Sequence, residues 1–497
     1  MRSAVIAIGL IVVGCQGSAV APAQPPASSA ELSPTPSPKT PAPAEAPAPV
    51  LLPPLRRFPV ASYTAAVGKD TPAGHAVAFR PDGSLVAIGQ GEAERWARSP
   101  HKKLAAHYPH LVASLDARGT AEWVRTLDTR SPWLGDIASG PDGAVIATGA
   151  FTNKLRIAGK VVARSAGRDD VYVARFERDG TLAWVRTIGG AAGDLAYGIA
   201  VDDDGTSYVV GMIGGEARFG ALTARHVGGR DVFVASFAPD GTPRWVRTAG
   251  GAGDDTALAA VLTPRALCVT GGFNGVATFQ HLTLTMAPEQ EPLGNPSNVF
   301  VACLSRAGDV LWGERLGAQT WFDRGWDLAA MSDGSLVVTG EHSRQAFVAR
   351  YSADGALLWQ RLASGSAAAR AVAVLPGDEV LVAMYLNGDA MTLSGLSRTV
   401  EVRARAAATV LTRYTSDGEI VATGQLAGAK GNSEGDRDGD ELEIAGMAVS
   451  PTGQVALIGR LWGEAVFEAG DLLIPSTGRI RGASGRDLVL VILDALR

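Results

Sequence analysis

The amino-acid sequence predicts an all-β fold, a seven-bladed β-propeller of four-stranded blades, on three observations. First, the pattern seen at Asp179-Gly180-Thr181-Leu182-Ala183-Trp184-Val185-Arg186 recurs six times. Second, each period contains the same four apolar runs, which read as strands joined by Asp/Gly turns. Third, the 497 residues include 60 glycines but only 7 methionines, which fits many short strands and turns. Four-stranded units repeated at a fixed period are typical of propellers. The anchoring glycines are Gly119, Gly180, Gly241, Gly308, Gly355 and Gly418.

A tryptophan follows these glycines by four residues in every copy but the last, where Ala422 stands. Large aromatic side chains repeated at equivalent positions predict packing between blades. The same spacing serves as a docking motif in propellers that bind pyrroloquinoline quinone. The chain has no Cys-x-x-Cys-His sequence for haem, so we predict no cofactor. The residues are Trp123, Trp184, Trp245, Trp312 and Trp359.

The ring is predicted to close through an N-terminal strand. Seven first strands and seven third strands can be placed, but only six tryptophan-bearing fourth strands. The segment Val60 to Val67 precedes the first blade as the fourth strands precede the others. We therefore expect it to pair beside Leu488 to Leu493, so that no strand edge stays unpaired. Most second strands end in glycine, namely Gly89, Gly149, Gly211, Gly271, Gly340 and Gly459.

Runs such as Gly228-Gly229-Arg230-Asp231 followed by Val232-Phe233-Val234-Ala235, then Pro239-Asp240-Gly241 and Trp245, resemble the bacterial SBBP family of seven-bladed propeller repeats. The resemblance covers Ser62 to Arg497 and is strongest in blades two to four. It implies a fold and a secreted or surface setting, and it implies no reaction.

The N-terminus predicts export and lipid anchoring. Residues 1–14 have one basic residue and an apolar stretch too short to span a bilayer, as a signal peptide has. They end in Val12-Val13-Gly14-Cys15, which resembles the bacterial lipobox and implies lipidation at Cys15. Gln16 fits sorting to the outer membrane. Residues 15–56 are rich in Pro and Ala and predict a disordered tether, and residues 57–497 form the propeller.

Two sets of side chains raise the question of metal binding. Glu434, Asp436, Asp438 and Asp440 alternate around a glycine as calcium ligands do. Ala445 stands where an EF-hand needs glutamate, so a solvated acidic loop is the favoured interpretation and calcium the alternative. His75, His101, His107 and His110 are close in sequence, but their spacing matches no zinc signature.

The predicted ligand face holds the second-to-third-strand and blade-to-blade connections, which open on the same side and vary most in length. Binding residues concentrate on such loops, and tryptophan is enriched at binding sites. The aromatic residues expected there are Trp96, Trp133, Trp321, Phe322, Trp326 and Trp462. Cys268 and Cys303 fall in neighbouring strands, where two buried thiols are favoured over a disulfide.

These features predict a non-enzymatic, monomeric cell-envelope lipoprotein whose loop face binds a protein or a polysaccharide. The formal charge of −5 gives no reason to expect nucleic acid. No Ser-His-Asp set, carboxylate pair or phosphate-binding motif stands out in the sequence. A periplasm-facing scaffold for outer-membrane assembly or secretion, and a glycan-acting enzyme, remain as alternatives.

Overall fold

A computed structural model describes residues 65–66, 74–90, 109–286, 296–317, 323–365, 367–403, 408–428, 441–468 and 479–493. Within these ranges the chain contains strands and no helix, and hence no helix that could cross a membrane. The predicted signal sequence, Cys15 and the tether to residue 56 all lie outside the described residues.

The strands follow one another as antiparallel meanders, which we number in chain order from their innermost strands. The innermost strands are Gly74–Phe79, Leu134–Ser139, Leu195–Val201, Thr256–Leu262, Arg324–Ala330, Ala367–Val374 and Glu441–Val449. The second strands are Leu85–Gln90, Val145–Ile157, Ser207–Ile213, Leu267–Phe273, Leu336–His342, Val380–Leu386 and Val455–Glu468. The third strands are His110–Leu115, Lys160–Phe176, Asp231–Phe237, Asn298–Leu304, Gln345–Tyr351, Ala408–Tyr414 and Arg479–Leu493. The fourth strands are Ala121–Asp128, Leu182–Gly190, Pro243–Ala249, Val310–Leu316, Leu357–Ser364 and Ile420–Gly428.

The last meander receives its outer strand from the other end of the chain. Ala65–Ala66 pairs antiparallel with Arg479–Leu493, in the register Ala65 to Leu488 and Ala66 to Asp487. This pairing is the seam expected for Val60 to Val67, seen over two residues. On the inside, Glu441–Val449 packs against Gly74–Phe79, as each other innermost strand packs against the next. The meanders therefore close on themselves as a β-propeller.

Counted as hydrogen-bonded sheets, the described strands give five sheets of four or more strands and one of two, where seven separate blades were expected. Two of the sheets each contain two meanders, because Val145–Ile157 pairs with Ala121–Asp128 and Val455–Glu468 pairs with Ile420–Gly428. Hairpins account for the strands beyond four in each meander. The hairpin of Ala217–Phe219 and Leu222–Ala224 adds to Leu182–Gly190 of the preceding meander. The hairpin of Ala390–Ser394 and Thr399–Arg403 adds likewise to Leu357–Ser364. The two-stranded sheet is a third hairpin, Val276–Phe279 with Leu282–Thr285.

The core lies between the faces of adjacent meanders. One cluster joins Tyr208 and Val210 of meander 3 to Leu267, Val269 and Phe300 of meander 4, and all five are buried. Every residue of Asp231–Phe237 is buried, because both faces of a third strand are covered by neighbours. That burial explains why the third strands read as nearly continuous apolar runs.

The repeated tryptophans join each of the first five meanders to the next, as their spacing predicted. Trp184 Nε1 donates to Pro239 O at 2.9 Å, and Arg186 Nε donates to Gly241 O at 2.8 Å. The arginine also lies 5.5 Å from the indole centroid, a cation–π distance. We term this pair of donors the Trp-Arg clasp. The same tryptophan bond recurs at Trp123, Trp245, Trp312 and Trp359, and the same arginine bond at Arg125, Arg247 and Arg361.

Cys268 and Cys303 stand directly opposite each other in adjacent strands and are joined as a disulfide, with their Cα atoms 4.0 Å apart. The favoured sequence interpretation, two buried thiols, was wrong on this point. Strand register was the missing information, because it alone sets whether two cysteines face each other.

We predict that the turn whose carbonyls accept the clasp bonds requires glycine. Gly241 has φ of +81°, and a Cβ there would lie 2.7 Å from the Trp184 ring. Gly83 has φ of +83° and no atom within 4 Å of such a Cβ. We expect Gly83→Ala to lower the free energy of unfolding by about 1–2 kcal/mol, from backbone strain alone. Gly241→Ala should lower it by about 1–3 kcal/mol more, because the methyl group overlaps the indole.

Urea unfolding of the two variants, followed by circular dichroism, separates strain from overlap. Equal losses of stability in Gly83→Ala and Gly241→Ala would show that the indole does not hold the turn.

Candidate functional site

The candidate site is the central cavity, and it is shaped by a bulge in each innermost strand. Pairing with the second strand shifts register near the start of every innermost strand. The residues at these bulges form a set that we term the bulge ring. Its members are His75, Gly135, Tyr197, Leu258, Trp326, Arg370 and Ala445. All but Gly135 line a cavity of about 500 Å³.

Glycines that end the second strands allow these bulges. A Cβ at Gly211 would lie 2.0 Å from Leu195 O, and one at Gly340 would lie 2.0 Å from Arg324 O. The bulged strand thus brings its carbonyl where a side chain would otherwise stand. The glycine pattern of the sequence marks the position of the ring.

The ring lies toward the face that carries the long connections, because the innermost strands begin there. Buried carboxylates hold the connections on that face in place. Asp194 accepts N–H bonds from Gly190 at 2.9 Å and Gly214 at 3.1 Å. Asp255 accepts from Gly251 and Asn274 in the same way. Each carboxylate therefore ties a blade-to-blade connection to the loop after a second strand.

Two further carboxyl groups lie in the cavity wall. Asp136 accepts N–H bonds from Ile137 at 2.7 Å and from Ile199 of the next meander at 3.0 Å. Asp327 accepts from Leu328 at 2.8 Å and from Val372 of the next meander at 2.9 Å. Both side chains thus connect neighbouring innermost strands.

Burial sets the protonation of these two groups. It raises the pKa of Asp136 to about 6, although the two accepted N–H bonds oppose the change. It raises the pKa of Asp327 to about 7, and repulsion from Asp136 adds to the effect. Both cavity carboxyls therefore change charge between about pH 6 and pH 7.

At the rim, aromatic and charged side chains from neighbouring meanders meet. The Arg370 guanidinium lies 4.2 Å from the centroid of the Trp326 ring, and that of Arg324 lies 5.7 Å from it. Burial raises the pKa of Tyr197, which the charges of Arg230 and Arg324 oppose. We term Tyr197, Arg324, Trp326, Glu341, Arg370, Glu443 and Arg460 the rim cluster; Arg370 and Arg460 both face Glu443.

Of the aromatic residues predicted for the ligand face, Trp326 belongs to the rim cluster. Trp133 lies in the connection before Leu134–Ser139, and 48% of its surface is exposed. Trp96, Trp321 and Phe322 lie outside the described residues. The backbone of Trp462 belongs to Val455–Glu468, and its side chain is outside the description.

The metal hypotheses gain no support. Glu434, Asp436, Asp438 and Asp440 lie outside the described residues, as do His101 and His107. In the described ranges, no group of three or more potential ligands comes together. Buried His110 is held by Tyr172 Oη and Ser131 O, both at 3.0 Å, which is the bonding of a core histidine. His75 lines the cavity.

Sequence reasoning missed Asp136, Asp327 and Arg370 as site residues. The sequence did contain a usable signal. In all meanders but the sixth, a glycine near the end of the second strand lies opposite the bulge. Met384 replaces this glycine in meander 6, opposite Arg370, so the signal fails there.

No family model matches the chain, and no curated protein does, so the resemblance to SBBP repeats stays a prediction. Among solved structures, the Pan2 WD40 domain of Neurospora crassa is similar at 12% identity over 71% of this chain and 85% of that one, with a TM-score of 0.35. An apocarotenoid oxygenase of Synechocystis is similar at 11% identity over 86% and 96%, with a TM-score of 0.35. Dipeptidyl peptidase 4 of Porphyromonas gingivalis is similar at 11% identity over 77% and 56%, with a TM-score of 0.31. Similarity at this level is no argument for function.

The raised pKa values predict a loss of stability with rising pH. The folded pKa values of Asp136 and Asp327, about 6 and about 7, exceed those of the unfolded chain, so the folded state binds more protons between about pH 4 and pH 7. The free energy of unfolding should therefore fall as pH rises through this range. Asp327→Asn should make that fall smaller. At low pH the substitution should lower the free energy of unfolding by about 1–3 kcal/mol, because the amide N–H₂ of the asparagine faces a backbone N–H.

Asp240→Asn is the matched control. Asp240 is exposed, and its bond with Thr242 lowers its pKa, so this variant should keep the wild-type slope between about pH 5 and pH 7. The measurement is urea unfolding across the pH range. A slope unchanged by Asp327→Asn would contradict the assignment.

Proposed function

We propose that this chain is an exported, lipid-anchored propeller of seven blades, of the SBBP type, whose loop-bearing face binds a protein or polysaccharide in the cell envelope. It acts by binding and not by catalysis, and works as a monomer.

Seven blades are supported by the order of the innermost strands. Each packs against its successor, and the last returns to the first. The two largest sheets each combine two meanders. They merge where a long second strand reaches a preceding fourth strand, as Val145–Ile157 does with Ala121–Asp128. In this interpretation the sheet count is smaller than the blade count because neighbours share hydrogen bonds at the loop face.

The binding face is supported by one observation above all. The cavity of about 500 Å³ has the bulge ring in its wall, and the ring lies toward the face that carries the long connections and hairpins. The opposite face has short turns of nearly constant form, such as Glu177 to Thr181 and Ala238 to Thr242. A rigid ring with variable loops around one opening is a common arrangement for ligand recognition.

Binding without catalysis is supported by the bonding of the cavity carboxyls. Asp136 and Asp327 each accept two backbone N–H bonds, so both have a structural task. Export is supported by the signal-like N-terminus and by the disulfide between Cys268 and Cys303, since disulfides persist in oxidising compartments.

Anchoring through Cys15 gives a direct test. We expect Cys15→Ala to move the protein from the membrane fraction to the soluble fraction of the envelope, because the only predicted lipid attachment is lost. Cell fractionation with immunoblotting measures this. Cys268→Ala is the control, and it should stay membrane-bound. A Cys15→Ala protein that remains in the membrane fraction would exclude lipid anchoring at this residue.

The partner is tested by crosslinking the full-length protein in intact cells, followed by mass spectrometry. We expect crosslinked peptides to come from the loop face, around Trp133, and not from the turn at Arg118. Crosslinks confined to the turn side would contradict the proposed face. Degradation by external protease would place the propeller on the cell surface, and protection would place it in the periplasm.

A further inference from the structure

We infer that the rim cluster binds the carboxylate of an acidic sugar unit, a uronate either free or at the end of a polysaccharide. This inference rests on the proposed binding role of the loop face and specifies its ligand.

The first step is the state of Arg370. Its guanidinium carbon lies over the Trp326 ring, 4.2 Å from the ring centroid, a cation–π contact. The nearest carboxylate oxygen, Glu443 Oε1, is 3.8 Å from Nε, too far for a hydrogen bond. Nε is itself buried and has no acceptor among the described residues, while the side chain as a whole is 27% exposed. A planar guanidinium can hold a carboxylate through two parallel hydrogen bonds, and one of its donors, Nε, is unused here.

The second step is the charge around it. Glu443 does not serve Arg370 alone, because Arg460 pairs with the same carboxylate. Arg324 adds a further positive charge on Trp326, opposite Glu341 in the neighbouring strand. The rim cluster thus contains three arginines and two glutamates, so positive side chains outnumber negative ones among its members.

The third step is a second unused donor. The indole N–H of Trp326 is buried with no acceptor in the described part of the chain. Leaving such a donor without an acceptor costs about 1–3 kcal/mol. A ligand oxygen that accepts this N–H bond would remove that cost.

The fourth step distinguishes a sugar from a peptide. The cavity of about 500 Å³ falls within the ~300–1,000 Å³ typical of small-molecule sites. It is walled by the innermost strands and offers Tyr197, His75 and the carboxyls Asp136 and Asp327. One or two sugar rings fit such a volume and present hydroxyls to these groups. An extended peptide would need a groove along the surface.

The test is isothermal titration calorimetry of the full chain in detergent with glucuronate and with glucose, which lacks only the carboxylate. We expect glucuronate to bind at least about tenfold more tightly than glucose, as charge-assisted hydrogen bonds require. A uronate tetramer that binds better than the monomer identifies a polysaccharide end as the source. Similar affinity identifies a free uronate.

Variants assign the binding to the rim. Arg370→Gln should lose about tenfold or more in affinity for glucuronate, and Trp326→Phe should lose less because it keeps the ring but not the N–H. Arg118→Gln, an exposed arginine in a turn on the opposite face, should bind as the wild type does. Urea unfolding of each variant separates a binding defect from a folding defect.

Several outcomes would overturn the inference: equal binding of glucuronate and glucose, no binding of either, full affinity in folded Arg370→Gln, or preferred binding of poly-glutamate. The last would assign the rim to acidic peptides. In each case crosslinks from the loop face to a partner would still support the proposed function, so the two ideas can fail separately.

Discussion

The Trp-Arg clasp is the interaction on which the ring depends. Trp184 and Arg186 each donate to a carbonyl in the turn at Pro239 to Gly241, and the equivalent bonds repeat from meander to meander. Backbone pairing joins neighbouring meanders only over short stretches at the loop face, so cohesion elsewhere between them must come from side chains. The clasp supplies directional bonds where apolar packing alone would permit sliding. It also requires a glycine at the receiving turn, because the indole occupies the space that a Cβ would need.

On the inside of the ring, hydrogen bonds from backbone N–H groups to aspartate side chains join neighbouring meanders. Asp136 and Asp327 reach the backbone of the next innermost strand, while the bulges turn one residue of each strand into the cavity. The outer bonds repeat with little variation, whereas the bulge ring contains residues as unlike as Leu258, Trp326 and Arg370. The repeated outer bonds hold the meanders together, and the unlike residues of the bulge ring set the chemistry of the cavity opening.

The carboxylates at the connections and the hairpins strengthen the loop-bearing half of the molecule, whereas the disulfide between Cys268 and Cys303 lies near the short turns of the opposite face. Asp194 and Asp255 hold loops of different meanders by the same two bonds. The bases of the long connections around the opening are therefore held by hydrogen bonds. That arrangement combines a rigid base with freedom for the loop tips to differ.

The sequence by itself determined the strand order, the turns, the clasp tryptophans and the N-terminal seam, because each follows from local periodicity or from a repeated residue type. The tertiary structure decided which residues meet. Arg370 and Trp326 are 44 positions apart in sequence (370 − 326 = 44) yet stack at 4.2 Å, because equivalent bulges of adjacent innermost strands converge on one cavity. Pairing of Cys268 with Cys303 likewise depended on register. Periodicity gives the position of a residue within its strand, and only the closed ring sets what lies opposite it.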